Sequence, residues 1–200
     1  MTAEKKARSN QELRTRKDLL LAAGRLLERG RKPTMDEVAE EALVSRATAY
    51  RYFRNVNALL LEAPIDAAVG DPSDIFAGDT SEDPEIRIDK AEAFIHATVV
   101  ENEPQLRIMM ANSIGRDLEK DSLPARQNRR MPLIEAALAP SRKNFPKDTY
   151  ENLCAALAMI IGPESLIVCR DVIDLDSESA RRAKSWAVRA LVRTALEDSS

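Results

Sequence analysis

Residues 34–53, TMDEVAEEALVSRATAYRYF, decide the fold, because they spell two short helices around a tight turn and end in aromatic and basic residues. Thr34 and Glu37 stand at capping-box spacing: the hydroxyl accepts from a first-turn amide, and the carboxylate three residues on returns the bond. Pro33 marks the stop before them. Met35, Val38, Ala39 and Ala42 recur at helical spacing, so one face turns inward while Asp36, Glu37, Glu40 and Glu41 stay solvated. Ser45 is the N-cap of the second helix. Arg46, Ala47 and Thr48 fill its first turn, where small and hydrogen-bonding side chains let a helix end approach base edges. Val44 and Ala49 anchor that helix inward, and Phe53 closes the core. Tyr50, Arg51, Tyr52 and Arg54 then supply the phenols and guanidinium groups that bind phosphate oxygens and groove edges. A helix-turn-helix that binds double-stranded DNA is predicted.

Working outward, residues 10–29 read as a first helix with Leu13, Leu20, Ala23 and Leu27 along one stripe, ended by Gly30. Residues 1–9, with Lys5, Lys6 and Arg8, form a flexible basic arm that could follow a groove or remain a solvated tail. A fourth helix is predicted over 55–69, bent or split at Pro64.

Leu19-Leu20-Leu21-Ala22-Ala23, Gly30, Thr34, Val38-Ala39, Val44-Ser45, Tyr50-Arg51-Tyr52-Phe53 and Leu59-Leu60 together resemble the N-terminal domain of TetR/AcrR-family transcriptional regulators, over roughly residues 14–61. The chain departs from the family pattern at two places. Leu43 occupies a turn position usually held by Gly, which is tolerable where the backbone does not need a positive φ. Val56, followed by Asn57, replaces a Lys that contacts phosphate, and Arg54 supplies a neighbouring cation. The competing reading is a helical hairpin of an unrelated bundle, with aromatics in the core and arginines on a solvated face.

Charge weighs against that alternative. Residues 1–60 carry thirteen Lys and Arg against eight Asp and Glu, a net +5, so the rest of this −3 chain carries −8. An acidic protein thus concentrates positive charge around the motif. Its 200 residues and 44% hydrophobic content suffice for one large domain or two small ones. No run reaches membrane-span length and no secretion signal opens the chain, so a cytoplasmic protein without a membrane partner is expected. Cys154 and Cys169 lie in apolar helical stretches and read as buried thiols.

Scarce Gly and apolar recurrence at three and four predict an all-α protein of about nine helices. The N-terminal three-helix helix-turn-helix DNA-binding domain spans 1–54, and a helical ligand-binding and dimerisation domain spans 55–200. After a loop over 70–84, helices are expected at 85–101, 103–118, 123–139, 147–173 (interrupted at Gly162-Pro163) and 177–197. The last two are apolar on more than one side, which calls for a further partner surface. The resemblance implies that they form a four-helix bundle with a second subunit, so a homodimer is expected, with Ile160, Ile167, Trp186, Ala190 and Thr194 as interface candidates.

The resemblance also implies a small-molecule effector in the C-terminal domain, to which residues 55–69 would act as a lever. Phe94, Thr98, Met109, Met110, Met131 and Cys154 are the pocket candidates, with His96 and Asn112 beside them and Arg107 and Arg116 as anion partners. Each has an ordinary reading as packing or a surface ion pair. His96 has no nucleophile partner, and neither a phosphate loop nor a metal-ligand spacing occurs, so no enzyme, no cofactor and no metal is expected. Within the motif, Arg46, Ala47, Thr48 and Arg51 are assigned to base edges, and Thr34, Ser45, Tyr50, Tyr52 and Arg54 to phosphates. The function expected is a one-component regulator, a repressor that binds a palindromic operator as a dimer and is released by its effector. The alternative is a helical sensor or protein-interaction module that has lost DNA binding.

Overall fold

The computed structural model describes residues 3–30, 32–114 and 128–198. It is built of helices: α1 (Ala3–Glu28), α2 (Met35–Glu41), α3 (Arg46–Tyr52), α4 (Val56–Val69), α5 (Pro72–Ile75), α6 (Pro84–Glu101), α7 (Glu103–Ile114), α8 (Arg130–Leu138), α9 (Lys147–Ile160), α10 (Pro163–Ile167) and α11 (Ser177–Glu197). No strand occurs among the described residues. The predicted helices between 103 and 139 extend into residues outside the described ones, as does Arg116.

Local chemistry sets the helix ends. Thr34 and Glu37 form both bonds of the capping box on α2, and Ser45 Oγ accepts from the Thr48 amide at the start of α3. Caps of this kind each contribute about 1 kcal/mol. Gly30, at φ 79°, ends α1 with its amide on the Leu27 carbonyl. Three predicted boundaries are corrected. The segment 1–9, expected as a flexible arm, is helical from Ala3, since Ala, Glu, Lys and Arg there are good helix formers with no breaker among them. The predicted loop 70–84 contains α5, because Asp71-Pro72 is an N-cap followed by a proline at the first helical position. Finally, Pro64 lies inside α4 and does not split it. The interruption predicted at Gly162-Pro163 divides α9 from α10.

The described residues fall into two compact units, one within 1–68 and 104–127, the other within 69–103 and 128–200. Packing therefore parts the chain elsewhere than at residue 55, because Leu59 and Ala63 of α4 are buried in the core of the motif. In the first unit that core joins Leu19, Leu20, Ala22, Ala23 and Leu26 of α1 to Met35, Val38 and Ala39 of α2, with Ala49, Tyr52 and Phe53 beyond. The inward stripe of α1 is thus 19-22-23-26, and Leu13, predicted to be on it, is exposed. Each fully buried Leu contributes about 1.5–3 kcal/mol.

In the second unit α6 packs against α8 and α11, and α9 against α8 and α11. Ile88, Ala91 and Ile95 of α6, Leu133, Ile134 and Ala137 of α8, Leu153 and Leu157 of α9, and Val188 and Val192 of α11 are among its buried side chains. Asp83 caps α6 and Asp176 caps α11.

Candidate nucleic-acid interface

Helix α3 has two faces. Ala49 and Tyr52 are buried, while Arg46, Ala47, Tyr50 and Arg51 are exposed on the other side. A helix only two turns long keeps such an orientation because its ends are fixed. Ser45 caps the start, with Oγ 2.9 Å from the Thr48 hydroxyl as well as 3.1 Å from its amide. At the other end Arg16 of α1, itself buried, donates to the Tyr52 carbonyl at 3.1 Å and lies over the Phe53 ring at 4.3 Å. Its second arm meets Glu62 of α4 at 2.6 Å. One guanidinium therefore ties α1, the end of α3 and α4 together. Asn55 Oδ1 then accepts from the Ala58 amide and starts α4.

The turn between α2 and α3 is a complete Schellman motif: the Val44 amide donates to Ala39 O and the Leu43 amide to Glu40 O. Such a turn requires a positive φ at Leu43, and Leu43 has φ 55°. The condition under which a leucine is tolerated here is not met, so this residue carries backbone strain.

Among the assigned contacts, Arg46, Ala47, Tyr50, Arg51 and Arg54 are exposed around α3, together with Ser45 and the half-buried Thr48. Thr34 is exposed at the start of α2, with its hydroxyl engaged by Glu37. Tyr52 differs from expectation: it is 8% exposed, its ring belongs to the core, and its hydroxyl accepts from Arg51 at 3.2 Å. Position 52 follows 49 on the inward side of the helix, which overrides the pull of the phenol toward phosphate. Beside the C-terminal end of α3 lies a cleft of about 360 Å³, lined by Arg16, Tyr50, Arg51, Arg54, Asn112 and others.

The acids of α2 are partly neutralised. Glu41 is 2.9 Å from Arg25, whose hydrogen bond holds its carboxyl below the usual carboxylate range, and Arg29 adds to this. Asp36 meets Arg46 across the turn, Oδ1 to Nε at 3.1 Å. The roles of Arg16, Glu62 and Asp36 were not read from the sequence. For the first two a signal existed: Arg16 continues the apolar stripe of Leu19 and Leu20, and Glu62 stands beside Leu59 and Ala63 on α4. A charge on an apolar stripe implies a buried partner.

The pocket candidates divide between the units. Met109 and Met110 are buried in the first; Phe94, Thr98, Met131 and Cys154 belong to the second. Thr98 donates to the Phe94 carbonyl at 2.9 Å. Burial raises the Cys154 thiol pKa, and burial together with Cys154 pushes the Tyr150 phenol up to about 12. Of the interface candidates, Trp186 is 75% exposed and Thr194 is exposed, while Ile160, Ile167 and Ala190 are half-buried. Met159, Val168, Val172 and Ile173 extend the exposed apolar surface of this unit.

Residues 19–63 match the family model of the bacterial regulatory proteins of the tetR family, TetR_N. The chain carries a TetR-family DNA-binding domain. The matched span runs from the buried Leu19 of α1 through the whole motif to Ala63 of α4, so the TetR-type match and the packed core cover the same residues. The matched domain supports a DNA-binding transcription regulator of TetR type. No curated protein and no solved structure matches the chain. Among the described residues no single helix is long and apolar enough to cross a membrane; α9 and the segment Pro163–Val172 meet the test only as a pair bent by 47°.

Proposed function

We propose that this TetR-type regulator is a one-component repressor that acts in the cytoplasm as a homodimer on a palindromic operator. The helix-turn-helix within residues 1–54, with the part of α4 packed on it, holds the DNA-binding function, and the rest of residues 55–200 the effector-binding and dimerisation functions. The observation that carries the reading is the outward face of α3, where Arg46, Ala47, Tyr50 and Arg51 are exposed on a helix fixed at both ends.

Arg46, Ala47, Thr48 and Arg51 read base edges; Thr34, Ser45, Tyr50 and Arg54 position the phosphates. A dimer sets two such helices against half-sites one helical turn apart. A small-molecule effector then lowers operator affinity by favouring the dimer with the wrong spacing, a coupling of about 1–3 kcal/mol.

Selection of bound sequences from a random duplex pool, followed by titration at two salt concentrations, tests this. The expected result is a palindrome bound with steep salt dependence. A folded dimer that enriches no sequence would instead establish the helical sensor or interaction module.

A further inference from the structure

The cleft at the C-terminal end of α3 is positively charged and lies wholly within the first unit. Arg16, Arg51 and Arg54 line it against one carboxylate, that of Glu62, and its volume is about 360 Å³. Ligand pockets run from about 300 to 1,000 Å³, so it has the capacity for one small molecule.

Two of the three guanidinium groups are held in place. Arg16, 8% exposed, is anchored by Glu62 at 2.6 Å and by the Tyr52 carbonyl at 3.1 Å, and the first contact balances the Glu62 charge where it stands. Arg51 donates to the Tyr52 hydroxyl at 3.2 Å. Asn55, whose side-chain oxygen accepts from the Ala58 amide, adds the NH2 donors of its other end. Positive charge and hydrogen-bond donors thus converge on one cavity, the combination that binds an oxyanion.

Other parts of the lining are apolar: Phe53 of the motif core, Leu61 of α4 and Met109 of α7. Phe53 and Met109 are buried, whereas Arg51 and Arg54 are exposed. A duplex meets those two arginines from outside, and a phosphodiester has no apolar group to lay against Leu61 or Met109. An organic anion satisfies both parts of the lining at once, with its charged end on the guanidinium groups and its apolar body on the leucine and methionine.

We propose that this cleft is a binding site for a small organic anion, an aryl or alkyl phosphate or carboxylate, whose occupancy withdraws Arg51 and Arg54 from the DNA interface. Such a ligand acts by direct competition and not through the spacing of a dimer. The competition rests on the DNA-binding reading above; the binding of the anion does not.

The test is calorimetric titration of the DNA-free protein with phenyl phosphate, with inorganic phosphate and with phenol. Phenyl phosphate should bind at least about tenfold more tightly than either, since each of the others satisfies only one part of the lining. Arg51→Gln should weaken it several-fold, and Asn112→Phe, which places a ring in the cleft from the exposed face of α7, should abolish it. Operator titrations at matched ionic strength should then show a weaker complex in phenyl phosphate than in inorganic phosphate, and no such difference in Asn112→Phe. Equal binding of phenyl and inorganic phosphate, or phenyl phosphate binding that both substitutions leave intact, would overturn the site. Unchanged operator affinity in saturating phenyl phosphate would overturn the competition. A wild type that binds phenyl phosphate as expected and no duplex at all would refute the DNA-binding reading and leave the anion site standing.

Discussion

Lys184 Nζ lies 2.6 Å from Glu92 Oε1, with the two side chains 5% and 0% exposed. The other Glu92 oxygen is 3.0 Å from Arg181 Nε, and Arg181 and Arg189 both reach Asp89, at 2.7 and 2.9 Å. These residues alternate between α6 and α11, so charge locks the pair of helices that packs most closely in the second unit. Removing one member of such a pair strands the other in a medium that solvates it poorly. Glu92→Gln should therefore cost about 3–5 kcal/mol, whereas replacing Glu92 and Lys184 together by Met should cost far less. Urea denaturation followed by circular dichroism separates the two, and a double variant weaker than the single one would refute this account.

His96 is governed by the same cluster. It is buried, with Nε2 3.0 Å from the Ser177 hydroxyl and Nδ1 buried without a hydrogen-bond partner among the described residues. Burial, and then the charges of Lys184 and Arg181, lower its pKa from 6.5 to about 4. Between those values the unfolded chain takes up a proton that the folded chain refuses, so stability rises with pH through that window and is lost as pH falls. Asp89, Asp79, Asp176 and Glu41 also have lowered pKa values, and most of their loss falls at and below the ordinary values of 3.8 to 4.5. Stability measured from pH 6.5 down to 4.5 should fall in the wild type and flatten in His96→Gln. Parallel curves would place the responsible group elsewhere.

Leu43 gives a prediction of opposite sign. It is 93% exposed at φ 55°, so it contributes almost no burial and holds a conformation that a Cβ opposes. Leu43→Gly should raise stability by about 1 kcal/mol, the relief of strain exceeding the extra freedom gained by the unfolded chain. Leu43→Ala keeps the Cβ and should change little. Urea midpoints of the three proteins decide the matter; an alanine variant as stable as the glycine one would show that the side chain, not the backbone, was responsible.

What could be read in advance followed from where the physics is local. The capping box at Thr34 and Glu37, the Ser45 cap, the Gly30 terminus and the inward turn of Val38, Ala49 and Phe53 depend on neighbours a few residues away, and the structure holds them as expected. Position 52 misled, because a tyrosine's phenol suits phosphate as well as the edge of a core, and only the neighbours on α1 and α4 decide between them. Arg16 with Glu62 and Asp36 with Arg46 are pairings across 46 and 10 residues of chain. No short window contains both partners of the first. The second lay within the quoted motif, yet spacing alone does not show that two charges meet over a turn.

The exposed apolar face of α11 bears on assembly. Ala180, Lys184, Val188, Val192 and Ala195 are its buried side, and at 100° per residue Trp186 points directly away from them. Ala190 and Thr194 flank it on the outer face. A trough of about 320 Å³ in the same unit is lined mainly by Met159, Ile160, Val168, Cys169, Ala183 and Ala187, with Glu164, Ser165 and Lys184 at its polar part. An indole 75% exposed on an apolar helix face has the form of an interface anchor, and such anchors typically carry about 2 kcal/mol or more. Trp186→Glu removes no contact from the unit's own core, so the fold should persist while the dimer weakens at least about thirtyfold. Sedimentation equilibrium should find the wild type at twice 22.2 kDa and the variant shifted toward a single chain. Operator binding should fall with it, because a palindrome needs two recognition helices held at fixed separation. A variant that stays dimeric at the same concentration would move the interface off this face of α11.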